Sequence, residues 1–369
     1  MRIGFDAKRA FFNFSGLGNY SRTLIQSLAQ YYPGNQYFLY TPKSNFVPET
    51  EIFNRPLFHI RTAPPYCPKA LWRSRFMTSD LKNDQLDIYH GLSHELPAGI
   101  AKTGIFSIVT IHDLIFLRFP QLYPAIDRKI YLAKIKQACK NAQLVIAISE
   151  QTKRDIQQFI GTPDDKIKVV YQSCSTAFQP NHARQSIQDI RTKYGLPGQY
   201  LLYVGTIEER KNLLLIAKAL KQLPEDFKCV AIGKKKEYFN TVNSFLQKEQ
   251  LSERMIFPEN VAYQDLPLIY GGAQIFIYPS RFEGFGIPVL EAISSGIPVI
   301  AAKGSCLEEA GGPGSIYVHP DDDKALAESI LKIAGSTETA EVMRQQGLQY
   351  AGNFSLQNTA TALMNVYLH

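Results

Sequence analysis

A chain of 369 residues is long for one hydrophobic core, so two domains of fewer than about 200 residues each are expected. Its hydrophobic content of 45% is ordinary for a globular protein, and no run approaches the ~18 apolar residues of a membrane span, which excludes a transmembrane segment. The formal net charge of +7 is uneven: residues 1–185 carry 23 Lys and Arg against 13 Asp and Glu, and the remainder 17 against 20. A basic first half suits a large anionic partner, such as a membrane surface or a phosphorylated lipid; it is otherwise a solvated surface. Nucleic acid is a weaker option, because no aromatic-interleaved basic motif accompanies the charge.

The amino terminus, Met1-Arg2-Ile3-Gly4-Phe5-Asp6, is interrupted by charge and does not read as a signal peptide. Five scattered cysteines, Cys67, Cys139, Cys174, Cys229 and Cys306, contain no Cys-x-x-Cys pair and read as reduced thiols. A cytoplasmic protein is expected, either free or held peripherally on the inner face of the cell membrane.

Along the first half, short apolar runs alternate with amphipathic stretches. Predicted strands are Arg2–Asp6, Tyr37–Tyr40, Phe58–Thr62, Ile88–His90, Phe106–Ile111, Leu144–Ile148 and Lys168–Tyr171. Helical patterns fall at Tyr20–Gln30 and Asp127–Cys139. Residues 173–199 are polar and turn-rich and read as an inter-domain linker. The pattern then restarts with Tyr200–Val204, Lys228–Ile232, Met255–Phe257, Gln274–Tyr278, Val299–Ala302 and Ser315–Val318. Such alternation argues for two parallel α/β sheets. The predicted domains are 1–180 and 181–352, with a closing helix in 353–369.

Gly16-Leu17-Gly18, after the first strand, fails as a dinucleotide fingerprint: the third glycine position is Ser21, and nine residues separate Asp6 from Gly16. That excludes a dehydrogenase of this kind. A plain glycine turn capping a helix from Asn19 is the alternative to a ligand-approaching loop, which is the favoured reading. Tyr89-His90-Gly91 and Thr110-Ile111-His112-Asp113 each end a strand with polar residues, where open α/β sheets place ligand groups. Asp113 beside His112 favours a site there; His90 stays open between site and core. Ser149 reads first as a helix N-cap, with Thr152 and Asp155 in the turns that follow.

Val204-Gly205-Thr206-Ile207-Glu208-Glu209-Arg210-Lys211-Asn212 runs from a strand through an acidic turn to adjacent cations at a helix start. Cations there oppose the helix dipole, by about 0.3–1 kcal/mol each. A bound diphosphate reverses that sign, using arginine as a fork and lysine as a point charge. Lys211 is read as lying outside the core.

The densest signal is Ser280-Arg281-Phe282-Glu283-Gly284-Phe285-Gly286-Ile287-Pro288-Val289-Leu290-Glu291-Ala292, after the apolar run Ile275–Tyr278. Two glycines release the chain, Pro288 begins a helix over Val289–Ser295, and Gly296 ends it before the next strand. Glu291 in the first turn gains from the helix dipole, but that explains neither Glu283 nor Gly284-Phe285-Gly286, since idle glycines cost about 0.5–1 kcal/mol each. Asp321-Asp322-Asp323 reads as an acidic N-cap run, and no His or Cys cluster has metal spacing.

This stretch resembles the family 4 retaining glycosyltransferases of the GT-B fold, whose donor signature is two glutamates separated by seven residues, with glycines after the first. The resemblance runs from the amino end to the last helix. It implies two Rossmann-like domains facing across a cleft, with a closing helix that crosses back onto the first. It implies a nucleotide-sugar donor whose diphosphate meets Arg210, Lys211, Gly205 and the backbone around Gly284, Phe285, Gly286 and Ile287. Glu283 is expected to hold sugar hydroxyls and Glu291 the ribose. Gly16 and Gly18 correspond to a glycine-rich loop near the donor phosphates, and His112 with Asp113 to the element that meets acceptor and transferred sugar. Thr206 stands where many members have a basic residue, so one phosphate ligand is either absent or supplied from elsewhere. Leu307 stands where a related loop has proline before a glutamate, here Glu308.

The resulting expectation is a metal-independent retaining hexosyltransferase with no cofactor, with Glu283, His112, Asp113 and Lys211 as its catalytic groups. Its acceptor is a glycan or polyprenyl-diphosphate-linked glycan in cell-surface polysaccharide synthesis, with mannose from GDP-mannose as the suggested donor. A nucleotide-sugar epimerase of the same architecture, or a non-catalytic binding module, stands as the alternative.

Overall fold

β-Branched and aromatic residues dominate the short apolar runs, and among the described residues thirteen of these runs form strands, the central ones buried on both faces and the edge strands partly exposed. In the computed structural model, which describes residues 1–13, 16–43 and 48–368, the strands make two all-parallel sheets. The chain divides into two units: Met1–Ser173 together with the segment from Ser355, and Cys174–Phe354.

The first unit holds β1 (Arg2–Asp6), β2 (Gln36–Thr41), β3 (Phe58–Thr62), β4 (Ile88–Gly91), β5 (Phe106–Ile111), β6 (Leu144–Ala147) and β7 (Ile167–Val169). Their order is β3-β2-β1-β4-β5-β6-β7. The order reverses between β1 and β4, so the carboxyl ends of those strands frame a crevice. Phe5, Tyr37 and Ile88 share a core with Leu363, Met364 and Tyr367 of the final helix, Leu356–Tyr367. His90 is fully buried there; its Nδ1 lies 2.7 Å from the Tyr367 hydroxyl and its Nε2 2.8 Å from Thr110 Oγ1. Both ring nitrogens are engaged within the unit, so His90 is a structural tie.

The second unit repeats the winding with β8 (Leu201–Val204), β9 (Cys229–Ile232), β10 (Met255–Ile256), β11 (Ile275–Tyr278), β12 (Val299–Ala302) and β13 (Ile316–Val318). Here the order is β10-β9-β8-β11-β12-β13, and the reversal falls between β8 and β11. The turns leaving these two strands carry the Arg210-Lys211 and Glu283–Glu291 motifs.

Two sequence expectations change. Residues 173–199 are not all linker, because Arg184–Tyr194 forms a helix that ends at Gly195 in the left-handed region (φ 62°). Ile190 is its buried side chain, in a segment that is otherwise polar in composition. The helix predicted near Asn19 begins at Gly16, so the two glycines occupy its first turn rather than a loop before it. A Cβ at Gly18 would fall 1.6 Å from the Asn13 carbonyl oxygen, whereas Gly16 faces open space.

Tyr367→Phe is expected to strand a buried His90 nitrogen and cost about 1–3 kcal/mol in chemical denaturation. Unchanged stability would show that this tie does not hold the final helix.

Candidate active site

In the second unit, β8 delivers the chain to Gly205, whose amide donates to the Ile232 carbonyl at 2.8 Å. Tyr203 O–H donates to the Thr206 carbonyl at 3.1 Å, and Ile207 pairs with the chain leaving β9. A short 3₁₀ turn, Glu209–Lys211, follows. The cations do not open the next helix directly: Asn212 intervenes in the left-handed region (φ 59°) before Leu213–Leu220. Its Nδ2 donates to the carbonyls of Pro320 (2.6 Å) and Pro279 (3.2 Å), which pins the turn to the segments that leave β13 and β11. Arg281 N–H donates to the Arg210 carbonyl at 2.9 Å and completes the join. Sequence reading passed over Asn212, although an asparagine between a turn and an apolar helix is a favoured left-handed residue.

This join brings Glu283 onto the basic pair. Its Oε1 lies 2.6 Å from Lys211 Nζ, 2.9 Å from Arg210 Nη1 and 2.5 Å from Ser280 Oγ. Tyr278 O–H donates to the same oxygen at 3.2 Å. The three charged side chains are only 10–13% exposed. An exposed ion pair contributes about 0–1 kcal/mol, but stranding one member of a buried pair costs about 3–5. Burial alone would push the Glu283 carboxyl up; the Lys211 and Arg210 charges and the donated hydrogen bonds outweigh it and hold the group near 2. Burial lowers Lys211 from the usual lysine range, against the raising effect of Glu283. Arg210 also pairs with Glu208 at 2.7 Å, and Glu208 with Lys236 at 2.5 Å.

Gly286 has φ 120°, which L side chains rarely adopt. A Cβ there would meet Leu307 Cδ2 at 2.8 Å and Ala310 Cβ at 3.2 Å. Phe285 is buried against Phe354, ring centroids 5.6 Å apart. The helix runs Ile287–Ser294, with Pro288 second, so it starts two residues earlier than predicted and Glu291 lies beyond its first turn. Glu291 is 6% exposed, takes one hydrogen bond from Tyr270 O–H at 3.1 Å, and is pushed by burial up to about 8. The two glutamates thus have opposite states at neutral pH: Glu283 ionised, Glu291 protonated. Leu307 is fully buried, and Glu308 accepts the Gly304 amide at 3.1 Å, stapling its own loop.

In the first unit, His112 and Asp113 follow β5. His112 Nε2 donates to the Leu92 carbonyl at 2.8 Å, which fixes the tautomer, and burial lowers the ring to about 3, so it is neutral. Tyr20 stands edge-on at 4.6 Å. Asp113 Oδ1 accepts the Ile115 amide at 3.1 Å and lines a cavity of about 220 Å³ with Arg9, His94, Glu95, Tyr131 and Lys134. His94 was missed from sequence. Its backbone is left-handed (φ 63°), rare for a side chain of this size, and its ring lies 5.4 Å from His112. Nothing in its spacing marked it, because it lies in the loop after β4.

Among the described residues, no three His, Cys, Asp or Glu side chains gather to hold a metal ion. Asp322 caps the helix Asp323–Ala334 through the Ala325 amide (2.9 Å), and Asp321 pairs with Arg281 at 2.5 Å.

Two family models match the chain. "Glycosyltransferase Family 4" covers residues 14–178, and "Glycosyl transferases group 1" covers residues 186–350. O-antigen chain mannosyltransferase B of Escherichia coli is 27% identical over 100% of this chain and 99% of its own length. A glycosyltransferase from Rickettsia africae superimposes with a TM-score of 0.77 at 18% identity, over 99% of this chain and 97% of that one. Anabaena HepE, solved in complex with UDP and glucose, superimposes with a TM-score of 0.75 at 15% identity, over 99% and 98%. The two parallel sheets of seven and six strands, the paired glutamates and these matches agree: the chain belongs to the family 4 glycosyltransferases and has the GT-B fold.

Proposed function

We propose that this glycosyltransferase moves a hexose, with retained configuration and without a metal ion, from a nucleoside diphosphate donor onto a lipid-linked glycan. The buried Arg210–Lys211–Glu283 cluster at the reversal between β8 and β11 carries the reading. Breaking the glycosidic bond leaves negative charge on the departing diphosphate and positive character on the sugar. Fixed cations in a low-dielectric site are the largest available source of stabilisation for that departure. Glu283 balances Arg210 and Lys211; a diphosphate carries more charge than one carboxylate, draws both cations, and frees Glu283 for sugar hydroxyls. The N-terminus of the Ile287–Ser294 helix, directly after Glu283, adds its dipole to the same phosphates. Glu291, protonated and partnered by one tyrosine, has acceptor capacity left for a ribose hydroxyl.

The first unit takes the acceptor, with His112 and Asp113 at the end of β5. Mannose from GDP-mannose is the proposed donor, supported by the full-length likeness to an O-antigen mannosyltransferase. The same relative supports a role in cell-surface polysaccharide synthesis. Among the described residues no helix is long and apolar enough to cross a membrane. We place the enzyme on the cytoplasmic side, in peripheral contact with anionic lipid. Release of nucleoside diphosphate across a panel of GDP- and UDP-sugars, with NMR of the product anomer, tests the reading. Preference for GDP-mannose and a retained anomer are expected; an inverted anomer or inert donors would overturn it.

Lys211→Ala is expected to lower kcat about 10²–10³-fold, the scale for one fixed charge-stabilising group. Its cost to stability should stay below the ~3–5 kcal/mol of a broken buried pair, because Arg210 still holds Glu283. Near-normal turnover by the folded variant would remove Lys211 from the diphosphate site. In excess EDTA the wild-type rate should persist; loss restored by magnesium or manganese would show a metal-dependent reaction.

A further inference from the structure

Scattered exposed hydrophobics need no explanation, but a cluster does. Among the described residues, seven of the exposed large hydrophobic side chains fall in two short stretches of the first unit. Tyr66 (89% exposed), Leu71 and Phe76 (52%) lie on one; Leu122, Ile126 (73%), Ile130 and Tyr131 lie on the other. Glu95 joins the stretches, pairing with Arg73 at 2.7 Å and with Lys134 at 2.9 Å. They therefore share one side of the unit, just past the carboxyl end of β4.

The helix Ala125–Asn141 shows why this surface is not a slipped core. Ile135, Ala138 and Cys139 are its buried side. Ile126 and Ile130, one turn apart, point the opposite way at 100° per residue, and Lys129 and Lys136 flank them. The helix thus carries two apolar stripes, one already covered by its own unit and one in solvent. The charge around the outer stripe is predominantly positive. Residues 64–77 hold Lys69, Arg73 and Arg75 with no acid, and residues 118–141 hold six cations with Asp127 alone against them.

We infer that this face docks on an anionic lipid bilayer, with Phe76, Ile126 and Ile130 entering the headgroup boundary while Lys69, Arg75, Lys129 and Lys136 meet lipid phosphates. The inference rests on the proposed peripheral membrane contact and names the surface that makes it. Its chemistry favours lipid over a second copy of the chain, because a twofold contact would press two cationic faces together. The cavity lined by Glu95, Asp113, Tyr131 and Lys134 lies beside this face. A glycan whose lipid stays in the bilayer therefore reaches the acceptor site without leaving the membrane.

The test is co-sedimentation of the full chain with phosphatidylcholine vesicles, with and without phosphatidylglycerol. Wild type should bind only the anionic vesicles and release at 1 M salt, where the screening length falls to ~3 Å. Ile126→Ser with Ile130→Ser should weaken binding at least about tenfold, and Phe76→Ser should weaken it further. Arg75→Glu with Lys129→Glu should abolish the salt-sensitive part. All five positions are exposed and outside the cavity, so melting temperature and transfer to a detergent-solubilised acceptor should be unchanged. Variants that bind like wild type would overturn this surface while leaving the membrane contact in place. Wild type that ignores anionic vesicles, or that self-associates through these residues, would overturn both.

Discussion

The carboxylate of Glu283 is held almost out of water between Arg210 and Lys211, and much of the second unit is arranged to keep it there. A charge in that position is tolerable only when its partners are fixed. The partners come from a turn some seventy positions earlier in the chain. Parallel winding places β8 next to β11, which brings the two turns together at one end of the sheet. Asn212 locks the first turn by donating to Pro279 and Pro320, and the left-handed backbone it adopts aims both cations toward Glu283. Gly286 lets the second turn close against Leu307 and Ala310, where a Cβ would collide. Cys306 donates its thiol to the Glu283 carbonyl at 3.0 Å, so the backbone under the carboxylate is held as well.

Eight positions further on, Glu291 meets the opposite environment. One tyrosine hydroxyl is its polar partner and no cation compensates for burial, so the carboxyl keeps its proton. The two groups contribute to stability with opposite signs. Glu283 has a folded value below the ordinary 4.5, so its contribution is present above that value and fades as pH falls toward 2. Glu291 has a folded value above 4.5, so it destabilises the fold progressively as pH rises from about 4.5 through 8. One motif therefore holds an ionised and a protonated carboxyl at neutral pH, eight positions apart.

The thirteen strands among the described residues could be read from the sequence, because most are short apolar runs bounded by turn residues. The motif residues at the ends of β8 and β11 were legible for the same reason: they follow strands whose ends are easy to place. What escaped depended on tertiary environment. Lys211 reads as an exposed turn residue, yet it is 13% exposed, because the burying surface comes from Tyr278 and Glu283. His94 has no periodicity or partner spacing to mark it; only its left-handed backbone and the cavity do so. The Arg184–Tyr194 helix hid in a polar stretch, because it buries so little of its own length. His112 was legible as a strand-end polar residue, but not its tautomer, which Leu92 sets.

In both units, polar groups follow the carboxyl ends of parallel strands, but their chemistry differs. The second unit concentrates paired charge, suited to a diphosphate, whereas His112 and His94 in the first are neutral and suited to hydroxyls. A carbon-13 NMR titration of the glutamate side chains, assigned with Glu283→Gln and Glu291→Gln, tests the charged cluster most directly. Glu283 should stay ionised down to about pH 2, and Glu291 should keep its proton up to about pH 8. Two carboxyls titrating together near the ordinary 4.5 would contradict the buried cluster and the diphosphate site built on it.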